Sequence, residues 1–98
     1  MSFRDGPIVY AKPFIRIVTK LAAAKGLSLD DLAQRADIRR SRMTRYERST
    51  REPLIADIFN VAEVLGVSPL WLFKKVLTEV DAARAAALRS RRSRKRPM

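Results

Sequence analysis

From Phe14 to Leu77 the apolar residues return every three or four positions, and no stretch shows the two-residue alternation of a half-buried strand. A chain patterned in this way can bury its apolar residues only as helices packed on one another, so the fold class is all-α. The pattern breaks at Gly26, at Asp37, between Ser49 and Pro53, and at Gly66, which leaves five helices. Pro13 suits a first helical position, and Phe14, Ile17, Val18, Leu21 and Ala24 trace one face of a helix ending at Lys25-Gly26. Ser28, with Asp31 three residues on, forms a near relative of the capping box, so a second helix starts near Leu29. Leu32, Ala33 and Ala36 form its apolar stripe; Asp37 falls where the turn needs a residue tolerant of positive φ, and Ile38 then points inward.

The third helix, Arg39 to Arg48, divides sharply. Met43 and Tyr46 lie on one side, while Arg40, Ser41, Thr44, Arg45 and Arg48 occupy the other, which carries no apolar residue. A loop from Ser49 to Pro53 follows. Ile55, Ile58, Phe59, Ala62 and Leu65 mark a fourth helix, and Ser68-Pro69 open a fifth as cap and first residue. Tyr46, Phe59 and Trp71, aromatics at helical spacing, are expected in the core.

The fifth helix is longer than the core requires. Phe73, Val76, Val80, Ala83 and Ala87 repeat at helical spacing past the core's end near Leu77, a seam of the kind that pairs two helices, so a homodimer is expected through it. From Arg89 onward the sequence is too charged and too poor in apolar residues to fold alone. The resulting organisation is an N-terminal arm (1–11), a helical domain (12–77), and a helix extension with a disordered basic tail (78–98).

Charge narrows the function. The net charge is +11, and its placement tells more than its size. Residues 39–51 hold 6 basic groups against 1 acidic, and residues 84–98 hold 7 against 0, while the remainder is close to neutral. Clustered Arg and Lys favour a polyanion, whose condensed counterions are released on binding. With 98 residues and 47% hydrophobic content, the chain has enough for one core and little surplus. There is no cysteine and no histidine, so thiol chemistry and the usual zinc sites are excluded. The ten carboxylates are read as scattered over solvent faces and helix starts, with no acid–base pair and no glycine-rich phosphate loop, so no enzyme, metal or cofactor is expected. No apolar run approaches the roughly 20 residues of a membrane span and no signal segment precedes Pro7, so no membrane partner and a cytoplasmic location are expected.

The order of residue types resembles the helix-turn-helix of phage-repressor-like regulators, the Cro/cI or xenobiotic-response-element class. The resemblance rests on Leu32-Ala33, Ile38, Met43 and Glu47, continues through Arg51 and Pro53 to Leu65-Gly66-Val67-Ser68 and Trp71-Leu72-Phe73, and covers roughly residues 12–73. It implies a five-helix lambda-repressor-like DNA-binding domain, here with an extended C-terminal helix and a basic tail. The chain departs from the class at Asp37 and Ser49, where glycine is common, at Arg39, where a Ser or Thr cap is common, and at Leu29, where glutamine is common. It also has Ala22 where the class often places an arginine that pairs with the residue matching Glu47.

Carried over by position, the resemblance makes Arg40, Ser41 and Arg45 the base readers in the major groove of double-stranded DNA. Arg39, Arg42, Thr44, Arg48 and Arg51, with Ser28 and Leu29 at the start of the second helix, become phosphate contacts that set register. The implied function is sequence-specific transcriptional regulation, by repression. The alternative is an antitoxin-type interaction module whose C-terminal helix and tail bind a partner protein while the helix-turn-helix represses its own operon.

Overall fold

The computed structural model describes residues 7–95. Five helices follow in order: α1 (Ala11–Ala24), α2 (Leu29–Arg35), α3 (Arg40–Glu47), α4 (Ile55–Leu65) and α5 (Pro69–Lys95). The all-α class read from the period is the one observed, with the five helices that the resemblance implies. α1 is the brace, since it packs against each of the other four helices. Phe14 on α1 and Tyr46 on α3 are both fully buried and meet edge to face, with ring centres 5.9 Å apart. Leu32, Val61, Leu65, Leu72 and Val76 complete the inner packing.

The first four helices end in the same way. At each C-terminus one residue takes positive φ, at Gly26 (74°), Asp37 (59°), Ser49 (56°) and Gly66 (72°). The next amide then reaches back to the carbonyl five residues earlier: Leu27 to Ala22, Ile38 to Ala33, Thr50 to Arg45 and Val67 to Ala62, at 2.8–3.0 Å. Asp37 and Ser49 therefore adopt the left-handed conformation without glycine, at a cost of about 1 kcal/mol each. At the other end of α2, Ser28 Oγ accepts from the Asp31 amide and Asp31 Oδ2 accepts from the Ser28 amide, a complete capping box.

Two expectations are corrected. Val76 and Val80, two of the five positions of the anticipated dimer seam, are buried within the protomer, while Phe73, Ala83 and Ala87 remain exposed. The physical reason is that α5 runs alongside α1 past the end of the compact core, with Arg16 Nη1 bonded to Glu79 Oε1 at 2.9 Å. Phe59 and Trp71 are exposed rather than core. Helix α5 continues to Lys95, a stretch whose alanines and arginines are good helix formers that need no core. The tail residues 96–98 and the arm residues 1–6 lie outside the described residues. The end of the arm is fixed: Tyr10 packs on the core, and Val9, Tyr10 and Ala11 donate their amides to Glu52.

Candidate nucleic-acid interface

Helix α3 sits on α1 and α2 through Met43 and Tyr46, and this fixes which residues it shows to solvent. Arg39, Arg40, Ser41, Arg45 and Arg48 are exposed, and Thr44 is half-buried. No acid stands in the first turn of α3, and Arg39 precedes it with no side-chain cap. Glu47 is the one carboxylate on the helix, so the exposed face is strongly positive.

The start of α2 adds amides to this face. Those of Leu29 and Asp30 have no intrahelical acceptor, being in the first turn, while the Asp31 amide is taken by Ser28. Ser28 is thereby committed to the capping box, and the Leu29 side chain turns toward the core. What these two positions present outward is the positive end of α2. The Asp31 carboxyl is held below its ordinary value by the Ser28 amide and hydroxyl, so it stays ionised and the cap stays closed at neutral pH.

Two arginines are already engaged. Arg40 Nη2 lies 3.1 Å from Asp30 Oδ2, an open pair with both side chains well exposed. Arg42, assigned by the resemblance to phosphate, is turned elsewhere. Its Nε and Nη2 bond both oxygens of Asp57 at 2.7 and 3.0 Å, while the Tyr46 hydroxyl donates to Asp57 Oδ2 at 2.6 Å. The same hydroxyl accepts from the Leu54 amide at 3.1 Å. Arg51 is half-buried in the loop after α3, beside Glu52.

Burial pushes the Asp57 carboxyl up, but hydrogen bonds from Arg42 and Tyr46 and the nearby arginine charge outweigh it, leaving the group below its ordinary value. Burial, and then the bond to Asp57, push Tyr46 up, so it remains a phenol. The bond to Asp57 holds Arg42 protonated. The set is thus an ionised acid held by an arginine and a phenol.

Sequence reasoning missed Asp30, Glu52 and Asp57. For Asp57 a signal existed: it shares the spacing of Ile58, Val61, Ala62 and Leu65, the buried stripe of α4. An acid on such a stripe requires a partner. Nothing in the spacing told which partner, because Arg42 lies on another helix.

The family model for the helix-turn-helix matches residues 19–72, from the second half of α1 into α5. In fold the chain is similar to the crystal structure of the clp gene regulator ClgR from Corynebacterium glutamicum, at a TM-score of 0.69 and 17% identity. The match covers 88% of this chain and 92% of that one. No curated protein matches the chain in sequence.

Proposed function

The chain belongs to the helix-turn-helix family of DNA-binding regulators, and we propose that it is a cytoplasmic repressor that reads double-stranded DNA by placing α3 in the major groove. The observation that carries this reading is the exposed face of α3, where Arg40, Ser41 and Arg45 stand together on a helix whose other side is locked into the core. Arg40 and Arg45 suit bidentate contact with guanine O6 and N7, and Ser41 can donate or accept. Arg39, Thr44, Arg48 and Arg51 flank them as phosphate contacts, with the amides at the start of α2. Catalysis plays no part in this reading.

A single α3 reads only a few base pairs, so a second copy is needed for a full site. The outward apolar surface is on α4 and the start of α5, where Ile55, Phe59, Leu70 and Phe73 surround a hollow of about 280 Å³. A twofold partner covering this face would shield it and supply the second half-site.

Replacing Arg40 or Arg45 with alanine tests the reading directly. Each should cost about 1–3 kcal/mol on the preferred site and relax one base position, with a much smaller loss on random DNA. Equal losses on both kinds of DNA would overturn the base-reading assignment. Phe59→Asp should give a folded monomer in sedimentation, and an unchanged dimer would place the interface elsewhere.

A further inference from the structure

Asp57 is the one charged or polar residue buried among the described residues, at 2% exposure, yet it lies directly beneath the helix assigned above to base reading. It stands in the first turn of α4, and both residues that hold it, Arg42 and Tyr46, are one turn apart on α3. The two helices are not in close backbone contact: no Cα of α3 comes within 8 Å of a Cα of α4. The gap is spanned by the long side chains of Arg42 and Tyr46, which converge on one carboxylate. The Leu54 amide closes the network from the residue before α4. No buried side-chain donor or acceptor in the described residues is left without a partner.

A buried ion pair is a poor way to gain stability, since apolar residues of the same volume often serve as well or better. Its best-attested use is to fix one arrangement among several. Here the quantity to be fixed is the rotation of α3. A turn of about 15° about the helix axis would carry an arginine tip by roughly 2 Å, beyond the ~0.5 Å tolerance of a pre-organised contact. Met43 and the Tyr46 ring seat α3 by apolar contact, and the directed bonds from Arg42 and Tyr46 to Asp57 add the angular hold that apolar contact lacks.

We propose that Asp57 is a positioning residue for sequence recognition: it sets the rotation of α3 and withholds Arg42 from the phosphates, so that Arg40, Ser41 and Arg45 meet the base edges in one register. The inference rests on the DNA-reading function proposed above. Specificity is thereby controlled from a residue that touches no DNA.

Asp57→Asn keeps the shape and an acceptor for Tyr46 but removes the charge that holds Arg42. The test measures the affinity of the full chain, wild type and variant, for its preferred duplex and for a random duplex across a salt series. The expected result is a specific-to-random ratio lower by about tenfold, the effect of one mismatched base pair. Affinity for random DNA should be equal or greater, with a salt slope steeper by about 0.9 as the freed Arg42 finds a phosphate. A merely structural role would move neither ratio nor slope once the protein is folded. A ratio within threefold of wild type in folded Asp57→Asn overturns the proposal and leaves the DNA-reading function standing. A wild type that shows no ratio above one removes that function instead, and the proposal with it. Arg42→Lys, which keeps the charge but not the two-point hold, is the second variant should Asp57→Asn fail to fold, and its ratio is read by the same criterion.

Discussion

Arg40 on α3 and Asp30 on α2 face each other across 3.1 Å, so a residue assigned to base reading is ion-paired before any DNA arrives. Both side chains are open to water, at 82% and 66% exposure, which limits such a pair to about 0–1 kcal/mol. Asp30 therefore rests Arg40 near its working position without holding it there. On the proposed reading it also sets a negative charge beside the surface that meets the DNA backbone.

Asp30→Asn should accordingly tighten binding to the preferred duplex by up to about fivefold, with the consensus unchanged. Fluorescence anisotropy against a labelled duplex measures this. Weaker binding by the variant would mean that the pair orients Arg40, rather than competing with DNA for it.

Glu52 ties the loop after α3 to the start of α1. Its carboxylate accepts from the amides of Val9, Tyr10 and Ala11 at 2.8, 2.8 and 3.2 Å, where Tyr10 itself offers no side-chain cap. Charge-assisted bonds to a helix N-terminus predict that Glu52→Ala lowers stability by about 2 kcal/mol and Glu52→Gln by about half as much. Urea unfolding followed by circular dichroism checks the order. Equal losses in the two variants would deny the charge any role.

Acid should weaken the fold through Asp57. Its carboxyl titrates lower in the folded chain than in the unfolded one, so its contribution is complete above the unfolded value near 4 and is lost as pH falls through the folded value. Tyr46 acts at the other extreme, favouring the fold below about 10 and losing that contribution as pH rises further. Unfolding midpoints between pH 2 and 7 should therefore fall more steeply for the wild type than for Asp57→Asn. Parallel curves would show that Asp57 is not the acid-sensitive group.

Truncation after Leu88 removes Arg89, Arg91, Arg92, Arg94, Lys95 and Arg96. If these meet phosphates, the slope of log affinity against log salt becomes shallower by about 0.9 for each phosphate no longer neutralised, with base preference retained. An unchanged slope would show that the basic end never touches DNA. The antitoxin-type reading, in which it serves a protein partner, would then gain.

Local chemistry in the chain foretold most of the helix boundaries. The Ser28–Asp31 capping box, the positive φ at Asp37, the inward Ile38 and the division of α3 about Met43 and Tyr46 all follow from neighbours within a turn or two. What could not be read was long-range choice. Period places Arg42 at the side of α3, but only the fold brings Asp57, 15 residues on, to meet it. Phe59 and Val80 show the same limit. Each fits an apolar stripe, yet Phe59 faces outward and Val80 inward, because the angle at which α4 and α5 meet the brace helix decides how wide a stripe is covered.

The most direct measurement is the selection of bound sequences from a pool of random duplexes by the full-length protein. The expected product is an inverted repeat whose half-sites are centred about 10 base pairs apart, or a multiple of that, each containing guanines where Arg40 and Arg45 reach. Enrichment should vanish in a variant carrying both Arg40→Ala and Arg45→Ala. A pool that stays random after repeated rounds, or the same consensus recovered with the double variant, would contradict recognition through α3.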